Sequence, residues 1–185
     1  RDWISSKEIG ELMFVDCIFA SIVWELYRGN PDAYKETFGF PVMPESSTYS
    51  DPSIAGGGQA QTQITHSAAM LIKMTGLTPK SVFSLMKNFD LEVDLTDALV
   101  VNFENDVIGT IAATGSVLNG QEEILEYKIF GEKGHILFDV IKGVASLHNS
   151  AGIIENRLEL EAGTTIGTQD FWALSYPEHA TSENL

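Results

Sequence analysis

Residues 11–26, "ELMFVDCIFASIVWEL", form an apolar run rich in β-branched and aromatic residues. Read with a period of two, it places Phe14 and Ile18 on one face and Val15, Cys17 and Phe19 on the other. This predicts a long first strand, covered on both faces because both are largely apolar. Residues 29–41, "GNPDAYKETFGFP", carry the punctuation of a short helix: Asn30 as N-cap, Pro31 at the first helical position, Gly39 as the stop, then Pro41. The short helix sits in a long excursion that carries Trp24, Tyr27, Arg28, Tyr34 and Phe38. Excursions of that length in compact domains are often functional.

The pattern then changes to a helical one in "GGGQAQTQITHSAAMLIKMTG", residues 56–76. At about 100° per residue, Ala60, Ile64, Ala68, Leu71 and Ile72 gather on one arc, the face expected to meet a sheet. Opposite stand Gln59, Thr62, Gln63, His66, Met70 and Lys73. Amides, a hydroxyl and an imidazole with almost no charge suit hydrogen bonding to an uncharged polyhydroxylated ligand, and an imidazole exchanges a proton near neutral pH. Asp51 and Pro52 in "SDPSIA" offer a cap and a first-turn residue, and Gly56, Gly57 and Gly58 permit close approach of a backbone or ligand. The plainer reading is a tight turn, a surface of glutamines and a packing histidine. The residue pattern leaves both open.

From residue 81 onward the reading is strand after strand. "SVFSLMKNF" precedes "DALVVNFENDVIGTIAATGSV", where Val101 and Phe103 alternate with polar neighbours before an Asn105-Asp106 turn and Ile108 and Ile111 follow it. "EILEYKIFGEKGHILFDV" alternates Ile124, Tyr127 and Ile129 about a "GEKG" turn, and "GVASLHNSAGIIENRLELE" gives a third hairpin. Strands joined by such short turns are antiparallel. The expected class is α+β: one long helix packed on one face of an open, predominantly antiparallel sheet of at least seven strands. The tail, residues 164–185, has weak periodicity and receives no element.

Composition narrows the setting. The 185 residues suit a single domain, 1–185, and no segment approaches the roughly 18 uninterrupted apolar residues of a membrane span. Eleven basic residues against 26 acidic ones give a formal charge of −15, which repels phosphate backbones, so nucleic acid and anionic membrane are not expected partners. Cys17 is the single cysteine, so no internal disulfide forms; its apolar run suggests a buried thiol in a reducing, cytoplasmic setting. His66, His135, His148 and His179 lack metal-ligand spacing, and no metal is expected. The chain starts at Arg1 without a methionine, and we expect Arg1 to begin an excised fragment.

Other motifs fail. The glycine triplet follows no hydrophobic strand and lacks the GxGxxG spacing, and neither GxxxxGK[ST] nor GxSxG occurs. "GEKG" between strands reads as a hairpin turn. Asp94, Asp97 and Glu104 read by default as solvated charge.

Four segments in order carry a resemblance: "ISSKEIGELMFVD" at 4–16, "YSDPSIAGGGQAQTQITHSAAMLIKMTGL" at 49–77, "DALVVNFENDVIGTIAATGS" at 97–116 and "YKIFGEKGHILFD" at 127–139. Together they resemble the C-terminal domain of the Gfo/Idh/MocA family of NAD(P)-dependent oxidoreductases, over roughly residues 4 to 141. The resemblance implies a fold like the glyceraldehyde-phosphate-dehydrogenase C-terminal domain and an N-terminal Rossmann half that this chain lacks. It also implies NAD or NADP in the full-length protein, with none bound by this fragment, and a homodimer or homotetramer formed through the sheet. The expected function is substrate binding and oligomerisation for a nicotinamide-dependent oxidoreductase acting on a sugar, cyclitol or related polyol. The alternative is a non-catalytic sugar-binding or assembly module on the same fold.

Carried over by position, His66 matches the helix histidine that faces substrate and nicotinamide. Gln59, Thr62 and Gln63 are expected to bond hydroxyls, Trp24, Tyr27 and Arg28 to close the pocket, and Gly56, Gly57 and Gly58 to lie near the cofactor. The family often has an aspartate where this chain has Thr62 and an acid where it has Ala69. A threonine orients an imidazole but does not share a proton as a carboxylate does.

Overall fold

The computed structural model describes residues 1–38 and 42–157, together with the backbone but not the side chain of Phe38. Gly39, Pro41, His179 and the tail at 164–185 lie outside the described residues. A single turn, α1 (Asp2–Ser5), precedes β1 (Leu12–Ala20). The excursion that follows holds α2 (Trp24–Tyr27), a 3-10 turn at Pro31–Tyr34 running into α3 (Lys35–Phe38), α4 (Ser47–Ser50) and α5 (Pro52–Ala55). The main helix comes in two pieces, α6 (Gln59–Thr62) and α7 (Ile64–Thr75). The strands β2 (Pro79–Lys87), β3 (Thr96–Phe103), β4 (Ile108–Thr114), β5 (Ile124–Gly131), β6 (Gly134–Asp139), β7 (Val144–Asn149) and β8 (Gly152–Arg157) complete the described residues.

All eight strands form one open sheet in the order β2-β3-β4-β1-β5-β6-β7-β8. Among the described residues only the β1–β4 pairing is parallel, because those strands are joined through the helical layer; the other strand pairings are antiparallel. The class is α+β, as the alternation in the sequence implies. At the β3–β4 turn Asn105 and Asp106 both take left-handed φ values, 64° and 60°, which Asn and Asp tolerate better than other side-chain-bearing residues.

The helix piece α7 lies on β1 and β4. Ile64 and Leu71 meet Val15, Cys17, Ile111, Ala113 and Tyr127 in the main core, and the Tyr127 hydroxyl donates to Ser67 O at 3.1 Å, tying β5 to α7. Cys17 is fully buried there, and burial pushes its thiol up to about 12. A second apolar cluster, Ile22, Val23, Leu26, Tyr27, Tyr34, Val93 and Leu95, joins the excursion to the β2–β3 connection. No helix among the described residues is long and apolar enough to cross a membrane.

Three expectations change. The first strand stops at Ala20 and not near Leu26, because Ile22, Val23 and Leu26 serve the second cluster from a turn and a short helix. Helix α7 covers only one face of β1; on the other, Phe14, Asp16 and Ile18 remain half-exposed. The buried stripe of the main helix is also displaced. Met70, expected on the polar side, is buried with Ile64, Ser67 and Leu71, while Ile72 is exposed. The helix is seated on the side of Gln59, Ser67 and Met70: Ser21 and Tyr27 meet Gln59 and Tyr127 meets Ser67, while i to i−4 bonds carry the helix through Gln63 in one phase.

Candidate functional site

The glycine triplet separates into three different roles. Asp51 caps α5, accepting from Ser53 N–H at 2.8 Å, and Gly56 ends that helix in the left-handed region at φ 78°. Gly57 has no such demand. Gly58 is buried against Asp94, and a Cβ built on it would stand 1.8 Å from Asp94 O. Only glycine allows that approach.

Asp94 receives the whole start of α6. Its Oδ1 accepts from Gly58 N–H and its Oδ2 from Ala60 N–H, each at 2.8 Å, while its carbonyl accepts from Gln59 N–H at 3.0 Å. Above this clamp runs a chain of polar side chains. Gln59 Nε2 donates to Ser21 Oγ at 3.1 Å and to Tyr27 Oη at 3.4 Å; Tyr27 and Thr62 hydroxyls lie 2.5 Å apart; Thr62 Oγ1 donates to Gly58 O at 2.9 Å. A hydroxyl has one proton, so the bond to Gly58 O requires Tyr27 to donate to Thr62. From Gln59 through Tyr27 and Thr62 the donors therefore run toward the Gly58 carbonyl, with a side branch from Gln59 to Ser21. Burial pushes the Tyr27 phenol up, with Asp94 and Asp97 adding to the effect against the hydrogen bond to Thr62.

This geometry redistributes the expected site residues. Gln59 is fully buried, so its amide supports the helix start and does not reach an external hydroxyl. Tyr27 is also enclosed, with its hydroxyl committed to Thr62 and Gln59, so it is a pillar under the site and not a wall closing it. Thr62 is half-exposed, but its hydroxyl hydrogen belongs to Gly58. Gln63 and His66 remain half-exposed along the same helix, and burial lowers the His66 pKa, which favours the neutral imidazole. Trp24 is half-exposed beneath the Arg28 guanidinium, 5.0 Å from its ring, and Arg28 itself is held by Asp90 at 2.8 Å and Glu25 at 3.2 Å.

Sequence reasoning missed Ser21, Asp94 and Asp97. The two aspartates are not solvated: Asp94 is 8% and Asp97 1% exposed, whereas Glu104 is exposed. A signal for Asp97 was available. Counting back by twos from Phe103 and Val101 reaches Asp97 and then Leu95, so this carboxyl falls in phase with the buried face of β3.

The α6 start does not fit the phosphates of a dinucleotide. Such a site needs free N–H groups at a helix start, and those of Gly58, Gln59 and Ala60 are all taken by Asp94. A Cβ on Gly56 or Gly57 would make ordinary contact with Gln61, and on Gly57 also with Asp94 Oδ1.

The described residues thus form an open α+β sheet with a histidine-bearing helix laid across its central parallel pair. A family model described as the GFO/IDH/MocA C-terminal domain matches residues 1–137, and the chain belongs to that family. Solved structures of similar fold include a levoglucosan dehydrogenase in complex with NADH and levoglucosan (16% identity, TM-score 0.69, 94% of this chain and 52% of that one). Others are an oxidoreductase from Sinorhizobium meliloti (13%, 0.65, 96% and 48%) and a UDP-N-acetylglucosamine 3-dehydrogenase from Acidithiobacillus ferrooxidans (11%, 0.59, 95% and 49%). The chain spans about half the length of these structures. No curated protein matches its sequence.

Proposed function

We propose that this chain is the substrate-binding and oligomerisation domain of an NAD(P)-dependent oxidoreductase acting on a sugar, cyclitol or related polyol. The nicotinamide cofactor would be held by an N-terminal Rossmann domain outside this chain, since the amides at the α6 start are already used. One observation carries the reading: a half-buried His66, favoured neutral, stands on α7, which continues through Gln63 from an α6 start locked by Asp94, with Gln59 bonded to Tyr27. In this reading His66 orients the reacting hydroxyl or exchanges its proton. Gln63 and Thr62 contact neighbouring hydroxyls, Trp24 and Arg28 border the pocket, and Gly56, Gly57 and Gly58 lie near the cofactor. Similar structures carrying NADH and levoglucosan support the ligand classes.

His66→Ala in the full-length protein tests the role. General acid-base residues contribute about 10²- to 10⁴-fold, so kcat/KM should fall on the order of a hundredfold or more. An unchanged kcat/KM would remove His66 from the chemistry.

The non-catalytic module has one observation in its favour: Thr62 occupies the position where the family often has an aspartate, and its hydroxyl is spent on Gly58. Titrating polyols into the full-length protein with and without NAD(P)H separates the readings, because binding without any nicotinamide turnover across a broad panel favours the module.

A further inference from the structure

Asp97 stands on β3 between Met86 of β2 and Ala113 of β4 and faces the helical layer. Neither of its carboxyl oxygens meets a donor among the described residues. Its carboxyl is within hydrogen-bond reach of Asp94, whose two oxygens each accept one backbone N–H from the α6 start. Two ionised carboxylates enclosed at that distance repel each other, and such a pair resolves the conflict by keeping one proton. Each Asp94 oxygen still has a lone pair free after accepting its N–H.

We propose that Asp97 carries a proton that it donates to Asp94, and that this proton-bridged pair is the positioning device for the α6 start, which bears Thr62 and runs through Gln63 into α7 and His66. The shifts agree in sign. Burial, then the neighbouring Asp94, pushes Asp97 up to about 7 against a smaller pull down from the Ala60 N–H. Burial also works against Asp94 ionisation, but the Ala60 N–H, the Asp97 carboxyl and the Gly58 N–H outweigh it and hold that group below its usual range. Asp94 therefore keeps the charge that grips the α6 amides, and Asp97 keeps the proton.

Few groups can compensate when that proton leaves. Tyr27 of α2 feels both carboxylates, and it is itself pushed up, so it stays neutral. The α6 start offers backbone amides, β2 offers Met86 and β4 offers Ala113. Deprotonating Asp97 sets two like charges under the Gly58–Ala60 amides and loosens their hold on Asp94. The site is then positioned best below neutral pH and relaxes above it. The consequence for substrate rests on the reading that this helix faces substrate.

The test uses the full-length protein with ¹³C-labelled aspartate carboxyls, in wild type, Asp97→Asn and Asp97→Leu. In wild type one aspartate resonance should titrate near neutral pH and vanish in Asp97→Asn. After correction for intrinsic rates, amide exchange at Gly58 and Ala60 should accelerate about tenfold through that titration in wild type, and stay level in Asp97→Asn, which keeps a donor for Asp94. Asp97→Leu, which keeps none, should exchange fast at every pH. An Asp97 resonance in the ordinary carboxylate range, or the same pH response in Asp97→Asn, overturns the proposal. These signals are read without substrate. With substrate, KM should rise with pH in wild type and stay level in Asp97→Asn, with kcat little affected. If the carboxyl and exchange results hold and KM does not follow, the fault lies in the substrate-facing reading of the helix and not in the shared proton.

Discussion

Replacing Gly58 by alanine adds one methyl group to a turn that has no room for it. The new Cβ would lie 1.8 Å from Asp94 O, 2.8 Å from its carbonyl carbon and 2.9 Å from its nitrogen. Carbon and oxygen do not approach closer than about 3.3 Å even in weak hydrogen bonds, so the α6 start must retreat by roughly 1.5 Å. Three bonds then stretch beyond hydrogen-bond range: Gln59 N–H to Asp94 O, and the Gly58 and Ala60 N–H groups to the Asp94 carboxylate. One neutral bond at about 1 kcal/mol and two to a charged acceptor at about 1.5 to 3 each give a gross loss of about 4 to 7 kcal/mol. Water entering the gap returns part of that, leaving about 3 to 5 kcal/mol, a large share of a domain's stability. Gly57→Ala is the internal control. Its Cβ would sit 3.4 Å from Asp94 Oδ1 and Gln61 Cβ, ordinary contact at a φ that alanine accepts, so its cost should stay below about 1 kcal/mol. Urea unfolding of both variants, followed by circular dichroism with the slope compared, decides the matter. Equal midpoints would refute the claim that the glycine at 58 is required by the Asp94 clamp.

Other outcomes follow from the same network and from the sheet. Tyr27→Phe removes the hydroxyl that Thr62 and Gln59 share and should lower stability by about 1 to 2 kcal/mol, measured by the same unfolding. Asp97 is raised in the folded state from 3.8 to about 7, so its contribution is fully present below about pH 4 and is lost as pH rises to 7. Between pH 5 and 8.5 wild type should therefore lose about 2 to 3 kcal/mol relative to Asp97→Asn, and parallel stability curves would contradict the shift. On the uncovered sheet face, Phe14, Phe130, His135 and His148 form a ladder of rings with centroids 6.1, 5.5 and 4.5 Å apart, flanked by exposed Ile108 and Val100. If the protein assembles through this face, Ile108→Lys should dissociate it in sedimentation velocity without changing its fold.

The sheet was readable because its signals are local. Period-two alternation in residues 97–114 and 124–139 and left-handed Asn-Asp at the turn required no knowledge of distant residues, and the observed β3–β4 and β5–β6 pairings follow them. The parallel β1–β4 pair was not readable in that way, since it joins residues about a hundred positions apart through the helical layer. The end of β1 was hidden for another reason. Ile22, Val23 and Leu26 are as apolar as a strand needs, and only the presence of a second core cluster made by Tyr34, Val93 and Leu95 turns them into a short helical corner.

The site divides along the same line. Polar residues at helical spacing look alike whether they face a ligand or the interior, and amphipathic periodicity assigns a face only if the helix keeps one phase. Here one phase holds, yet Ser21 and Tyr27 of the excursion enclose Gln59 while His66, seven residues later, stays partly open. Asp97 shows the reverse case. Its phase on β3 marks it as buried, while its charged residue type alone argues for solvent. Register should prevail whenever two flanking in-phase positions are apolar, as Leu95 and Leu99 are here, because a strand has no means of turning one alternate side chain to the other face without a bulge. A carboxyl caught in that position must find a donor, a cation or a proton, and beside Asp94 the proton is what the geometry leaves.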